Sequence, residues 1–114
     1  MRLCKTLLHR PWLEVTMVLL LTGTMAAAQD VTPQRKGELR NLIVQDCGSC
    51  HGMTLKGGLG SPLRPGDLDG VPASTIAQIV LDGVPDKPMP PWRGLLSDSD
   101  ALWIAHALKT GVLK

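Results

Sequence analysis

The chain has 114 residues, 44% of them hydrophobic, with 12 Lys and Arg against 10 Asp and Glu. That length suits a single small domain, and so mild an excess of positive charge gives no basic stripe for nucleic acid and no polybasic patch for a membrane surface. Phe and Tyr are absent and three Trp are present, so any core is poor in bulky rings.

Residues 1–28 read as a secretory signal that is cleaved. Arg2, Lys5, His9 and Arg10 make a basic start, Val15 to Leu21 is an apolar run interrupted only by Thr16, and Ala26-Ala27-Ala28 supplies the small-residue site that a signal peptidase favours. The run falls short of the roughly 20 apolar residues of a spanning helix, with an uncleaved anchor as the alternative. Cleavage after Ala28 leaves a domain of residues 29–114. Arg2, Lys5, Arg10, Glu14 and Cys4 leave with the signal, so the exported charge is balanced and Cys47 and Cys50 are the remaining pair. A domain this small commonly needs a disulfide, a metal or a large cofactor to hold its fold.

The first predicted helix starts at Thr32-Pro33, with Thr as N-cap and Pro at the first helical position. Leu39, Leu42 and Ile43 recur at helical spacing, and the helix runs from about residue 33 into Cys47. There the chain reads Cys47-Gly48-Ser49-Cys50-His51, the C-x-x-C-H pattern of covalent haem c attachment. Cysteines three apart share one side of a helical turn, where both sulfurs can meet one edge of a porphyrin, and the next residue can bring an imidazole to the iron. Three rival uses fit less well. A structural zinc site wants a second ligand pair, a thioredoxin-like C-x-x-C wants a βαβ setting, and a plain disulfide leaves His51 without a role.

From Gly52 to Pro72 periodicity disappears under Gly57, Gly58, Gly60, Pro62, Pro65, Gly66 and Gly70. Such a long loop in a small domain is expected to be ordered around a large flat ligand. A second helix follows over Pro72–Leu81, with Ile76, Ile79 and Val80 on one face and Asp82-Gly83 as its stop. Pro85, Pro88, Pro90 and Pro91 then exclude regular structure and stiffen the chain around Met89 and Trp92. The third helix begins at Ser97 with Asp100 three residues on, carries Ala101, Ile104, Ala105 and Leu108 on one face, and stops at Gly111. The alanines invite close approach of another helix, the first being the expected partner. No segment alternates as a strand, so the fold class is all-α: three short helices and long loops.

A second axial ligand has three candidates: Met53, Met89 and His106. Met53 is too close to His51 along the chain to pass around the ring, and His106 suits an exposed helix position. Met89, held by prolines and far enough along the chain to return over the other face, is the expected ligand. Methionine there raises the potential relative to two histidines and closes the iron to substrates, which argues for electron transfer and against catalysis. A peroxidatic enzyme would need the iron left open.

The order helix, C-x-x-C-H, Gly60-Ser61-Pro62-Leu63, middle helix, Met89-Pro90 and terminal helix with Trp103 resembles a class I cytochrome c. The resemblance implies that Pro62 offers its carbonyl to the His51 imidazole, and that the first and last helices cross. Gln45-Asp46-Cys47, Gly57-Gly58-Leu59-Gly60 and Gly83-Val84-Pro85 through Met89-Pro90-Pro91-Trp92 are similar more narrowly to the NirC-type cytochromes c55X of denitrifying bacteria. That similarity implies a monomeric, periplasmic, single-haem electron carrier that is not an enzyme, with haem cd1 nitrite reductase as redox partner. A part in maturing haem d1 of that reductase is the alternative. Lys56, Arg64, Lys87 and Arg93 are candidates for haem propionates or a partner, though solvated loop charge is the simpler expectation.

Overall fold

The computed structural model describes residues 30–111. The segment read as a signal lies outside them. Helix α1, Pro33–Leu42, starts as the sequence demands: Thr32 is extended, Pro33 occupies the first turn, and the Arg35 N–H donates to Thr32 Oγ1 at 3.2 Å. The backbone stays helical through a π turn at Ile43–Cys47 and through α2, Gly48–His51, and breaks only at Gly52, whose φ is 88°. The first helical rod thus runs four residues past Cys47 and carries the whole C-x-x-C-H sequence.

The π turn has no signature in the sequence, and it has a use. Leu39, Ile43 and Cys47 are spaced by four, and each such step in an α-helix rotates the side chain by about 40°. A π turn closes its hydrogen bond over one more residue, so it turns less per residue and takes back part of that drift. Cys47 consequently stays on the side of the rod that buries Leu39 and Ile43, both fully inaccessible.

The glycine-rich stretch after His51 is ordered. The Gly57 N–H donates to the His51 carbonyl and the Gly60 N–H to the Cys50 carbonyl, each at 2.8 Å, and the Leu63 N–H reaches Leu55 at 3.0 Å. A single 3-10 turn, Pro65–Leu68, interrupts it, fixed by Asp67 accepting from both the backbone and the guanidinium of Arg64. Lys109 closes the far end, its ammonium donating to the carbonyls of Leu68 at 2.9 Å and Val71 at 2.7 Å.

Helix α3, Ala73–Asp82, buries Ile76, Ala77, Val80 and Leu81. Helix α4, Asp98–Thr110, has the anticipated reciprocal cap between Ser97 and Asp100 and ends at Gly111 in a left-handed conformation. Ala101 and Ala105 are fully buried, but α4 packs most extensively on α3 and more sparingly on α1. An ion pair adds to the apolar contact that Leu39 of α1 makes with the same core. Arg35 grips both carboxylate oxygens of Asp100, at 3.2 and 3.1 Å. Burial pushes the Asp100 carboxyl up, but hydrogen bonds from Arg35 and Ser97 outweigh it and hold the group below the usual carboxylate range. Among the described residues there is no strand, and no helix is long and apolar enough to cross a membrane.

Candidate cofactor cleft

Four side chains that the sequence singled out converge on one hollow. Cys47, Cys50, His51 and Met89 all line a cleft of about 560 Å³ between the first helical rod, α3, α4 and the two loops. Its walls are apolar: Leu68, Ile76, Val80, Ile104 and Leu108 come from three separate elements. Among the described residues, Asp46 and Lys87 are the lining side chains with a fixed charge. A hollow of this size and polarity suits a cofactor that is mostly hydrocarbon and presents a few points for polar or metal bonding.

Cys47 and Cys50 are both half-buried at the cleft and are not joined to each other. Burial, with a smaller push from the Asp46 charge, raises the Cys47 thiol to about 11. Among the described residues no three His, Cys, Asp or Glu gather as a metal cluster, so the zinc alternative finds no ligand set. A lone thiol pair beside an imidazole, on the rim of an apolar hollow, fits a porphyrin joined through two sulfurs.

On the His51 side, the ring Nδ1–H donates to a carbonyl at 2.7 Å, but the acceptor is Ser61 and not Pro62 as the resemblance implied. The reason lies in how closely the loop approaches. Gly60 rests against the ring so tightly that a Cβ there would sit 2.6 Å from Nδ1, and its own N–H is bonded to Cys50. Drawing the chain in at Gly60 presents the very next carbonyl to the imidazole, while the Pro62 ring packs on Gly57. Either carbonyl does the same chemical work: it fixes the proton on Nδ1 and leaves Nε2 available as a ligand.

On the proline-rich loop that also lines the cleft, Met89 is half-buried and packed against the core. Its loop is tied to α3: the Val84 N–H donates to the Met89 carbonyl at 3.1 Å, and Trp92 and Arg93 donate to the Leu81 carbonyl at 3.0 and 3.1 Å. The other two ligand candidates lie elsewhere. Met53 is 59% exposed and faces a different groove, and His106 is exposed on α4. Of the four basic loop residues, Arg64 pairs with Asp67 and Arg93 with Asp82 and Asp98, as solvated loop charges do. Lys87 lies at the cleft, and Lys56 lines the groove that holds Met53. The Arg35–Asp100 pair and the π turn carry no signal in the sequence that would have found them.

A small helical fold wrapped on such a cleft defines the class I cytochromes c. The family described as cytochrome c oxidase, cbb3-type, subunit III matches residues 34–106. Cytochrome c55X of Pseudomonas aeruginosa is 43% identical over 103 residues, covering 90% of this chain and 87% of the relative. Cytochrome c55X of Paracoccus denitrificans is 46% identical, covering 82% of this chain and 91% of its own. A solved c-type cytochrome NirC superposes with a TM-score of 0.70 at 49% identity, covering 72% of this chain and 96% of that one. A solved dihydro-heme d1 dehydrogenase NirN, in complex with DHE, gives 0.56 at 30% identity, covering 60% of this chain and 15% of the other. The chain belongs to the NirC-type cytochrome c55X family, within the broader cytochrome c domain family that matches residues 34–106, and carries one covalently bound haem c.

Proposed function

We propose that Cys47 and Cys50 hold the haem by thioether bonds, that His51 Nε2 and Met89 Sδ are its axial iron ligands, and that the protein carries single electrons in the periplasm to haem cd1 nitrite reductase. The observation that carries this reading is the convergence of those four side chains on one apolar cleft.

When bound, haem supplies a one-electron couple at its iron. The chain's own residues set the conditions for it. Ser61 holds the His51 proton on Nδ1 and so keeps the imidazole in one tautomer and one orientation. The proline-bound Met89 offers a neutral sulfur, which favours the reduced state. Leu68, Ile76, Val80 and Ile104 give the haem apolar walls. Were His51 and Met89 both to bind the iron, no position on it would be left for a substrate, which supports a carrier and not an enzyme. Export through a cleaved signal at residues 1–28 agrees with haem c assembly outside the cytoplasm, and balanced charge on residues 29–114 agrees with brief, weakly steered encounters as a monomer.

The purified holoprotein tests this directly. Reduction should produce c-type absorption bands, Met89→Ala should lower the potential and open the iron to cyanide, and the reduced protein should pass electrons to the reductase on mixing. Failure of that transfer, with the spectrum intact, removes the proposed acceptor.

Likeness to the NirN structure favours a second reading, a redox role in completing haem d1. Deleting the gene separates the two. Reductase that lacks d1 supports maturation, and complete reductase starved of electrons supports carriage.

A further inference from the structure

The residue that ends α3 touches the Met89 loop more closely than any side chain could. Gly83 has φ 69° and ψ −169°, a region of backbone space essentially reserved for glycine, and its N–H still donates to the Ile79 carbonyl at 2.9 Å. A Cβ placed on it would lie 2.7 Å from the Met89 carbonyl oxygen, 2.8 Å from the Pro90 carbonyl carbon and 2.8 Å from the Pro91 nitrogen. All three are backbone atoms, so no side-chain rotation relieves the overlap.

The loop itself has little room to yield. Pro88, Pro90 and Pro91 fix φ at their own positions and restrict the residues before them, Met89 included. Downstream, Trp92 and Arg93 are bonded to the end of α3, and Arg93 is paired with Asp82, the neighbour of Gly83. Upstream, the Val84 N–H holds the Met89 carbonyl at 3.1 Å. Both ends of the loop are therefore anchored beside the place where bulk would be added, and Met89 is where displacement would come out.

We infer that Gly83 is a positioning residue for Met89: the bare backbone at the end of α3 is the surface against which the Met89-Pro90-Pro91 segment is seated, and this seating sets where the sulfur stands in the cleft. The inference rests on the reading of Met89 as the distal ligand.

Holoprotein of the wild type, Gly83→Ala, Gly70→Ala and Met89→Ala tests it. Gly70 also has a positive φ, 77°, but open space around its missing Cβ, so Gly70→Ala carries backbone strain without contact. The readouts are the sulfur-to-iron charge-transfer band of the ferric state, the reduction potential and imidazole binding. Gly83→Ala should weaken the band, lower the potential and tighten imidazole binding at least tenfold, whereas Gly70→Ala should match the wild type in all three. A Gly83→Ala protein with wild-type band, potential and imidazole affinity overturns the inference if Met89→Ala loses the band. If Met89→Ala keeps it, the ligand assignment itself falls. Should Gly83→Ala not accumulate, Pro90→Ala leaves Gly83 intact and frees the facing backbone. Imidazole affinity should then rise severalfold, and an unchanged affinity overturns the inference equally.

Discussion

The two loops that flank the cleft reach the same end by opposite means. On the His51 side, Gly60 lets backbone press against an imidazole that the helical rod has already placed, Gly58 lies as closely on the Cys50 carbonyl, and the hydrogen bonds run straight back to Cys50 and His51. On the Met89 side the proposed ligand is carried by the loop itself, and prolines replace glycines. Where a helix supplies the position, the loop needs closeness. Where the loop must supply it, the chain needs stiffness, and the one glycine required belongs to α3, at the surface the loop rests on.

The largest effect should come from removing what the rod positions. His51→Ala should abolish the low-spin haem spectrum and reduce holoprotein yield severely, read by absorption and intact mass, whereas Met89→Ala should leave covalent haem in place. Equal losses would mean that the two sides are not distinct in kind. Next comes closeness: Gly60→Ala should cost about 2 kcal/mol in denaturant unfolding, because the methyl meets a ring that covalent geometry keeps in place. A tolerated alanine would show that the loop stands further from His51 than a Cβ-to-Nδ1 separation of 2.6 Å implies.

Stiffness and closeness both presuppose that the helices bearing them are docked. Arg35→Leu should destabilise the fold by about 1 kcal/mol at neutral pH. The carboxyl of Asp100 is depressed in the folded state, so its contribution is full above the unfolded value near 3.9 and is lost as pH falls through the lower folded value. Acid titration of the unfolding midpoint should therefore be steeper in wild type than in Arg35→Leu. The smallest effect should be a gain. Gly37 lies inside α1 with open space around it, and Gly37→Ala should stabilise by about 0.5–1 kcal/mol with no change in the spectrum.

What was legible from sequence divides along physical lines. Caps at Thr32 and Ser97, the stop at Gly111, the motif at Cys47–His51 and the proline-bound Met89 are local: neighbours within a few residues carry the information. The Arg35–Asp100 grip spans 65 residues, and from composition alone both look like surface charge. The π turn depends on where Cys47 must face once the core has formed, which the spacing of Leu39 and Ile43 does not reveal. Ser61 in place of Pro62 is a one-residue difference set by how far Gly60 draws the chain inward. The 3-10 turn at Pro65–Leu68 is too short to imprint a period.

The hollow bounded by Ile76, Val80, Ile104 and Leu108 has a further consequence for the cell. Its walls come from three separate elements, so a polypeptide that never receives its tetrapyrrole leaves greasy surface uncovered instead of a sealed interior. Such unfinished copies are natural prey for quality-control proteases, and steady-state abundance should follow the supply of cofactor more closely than the level of message.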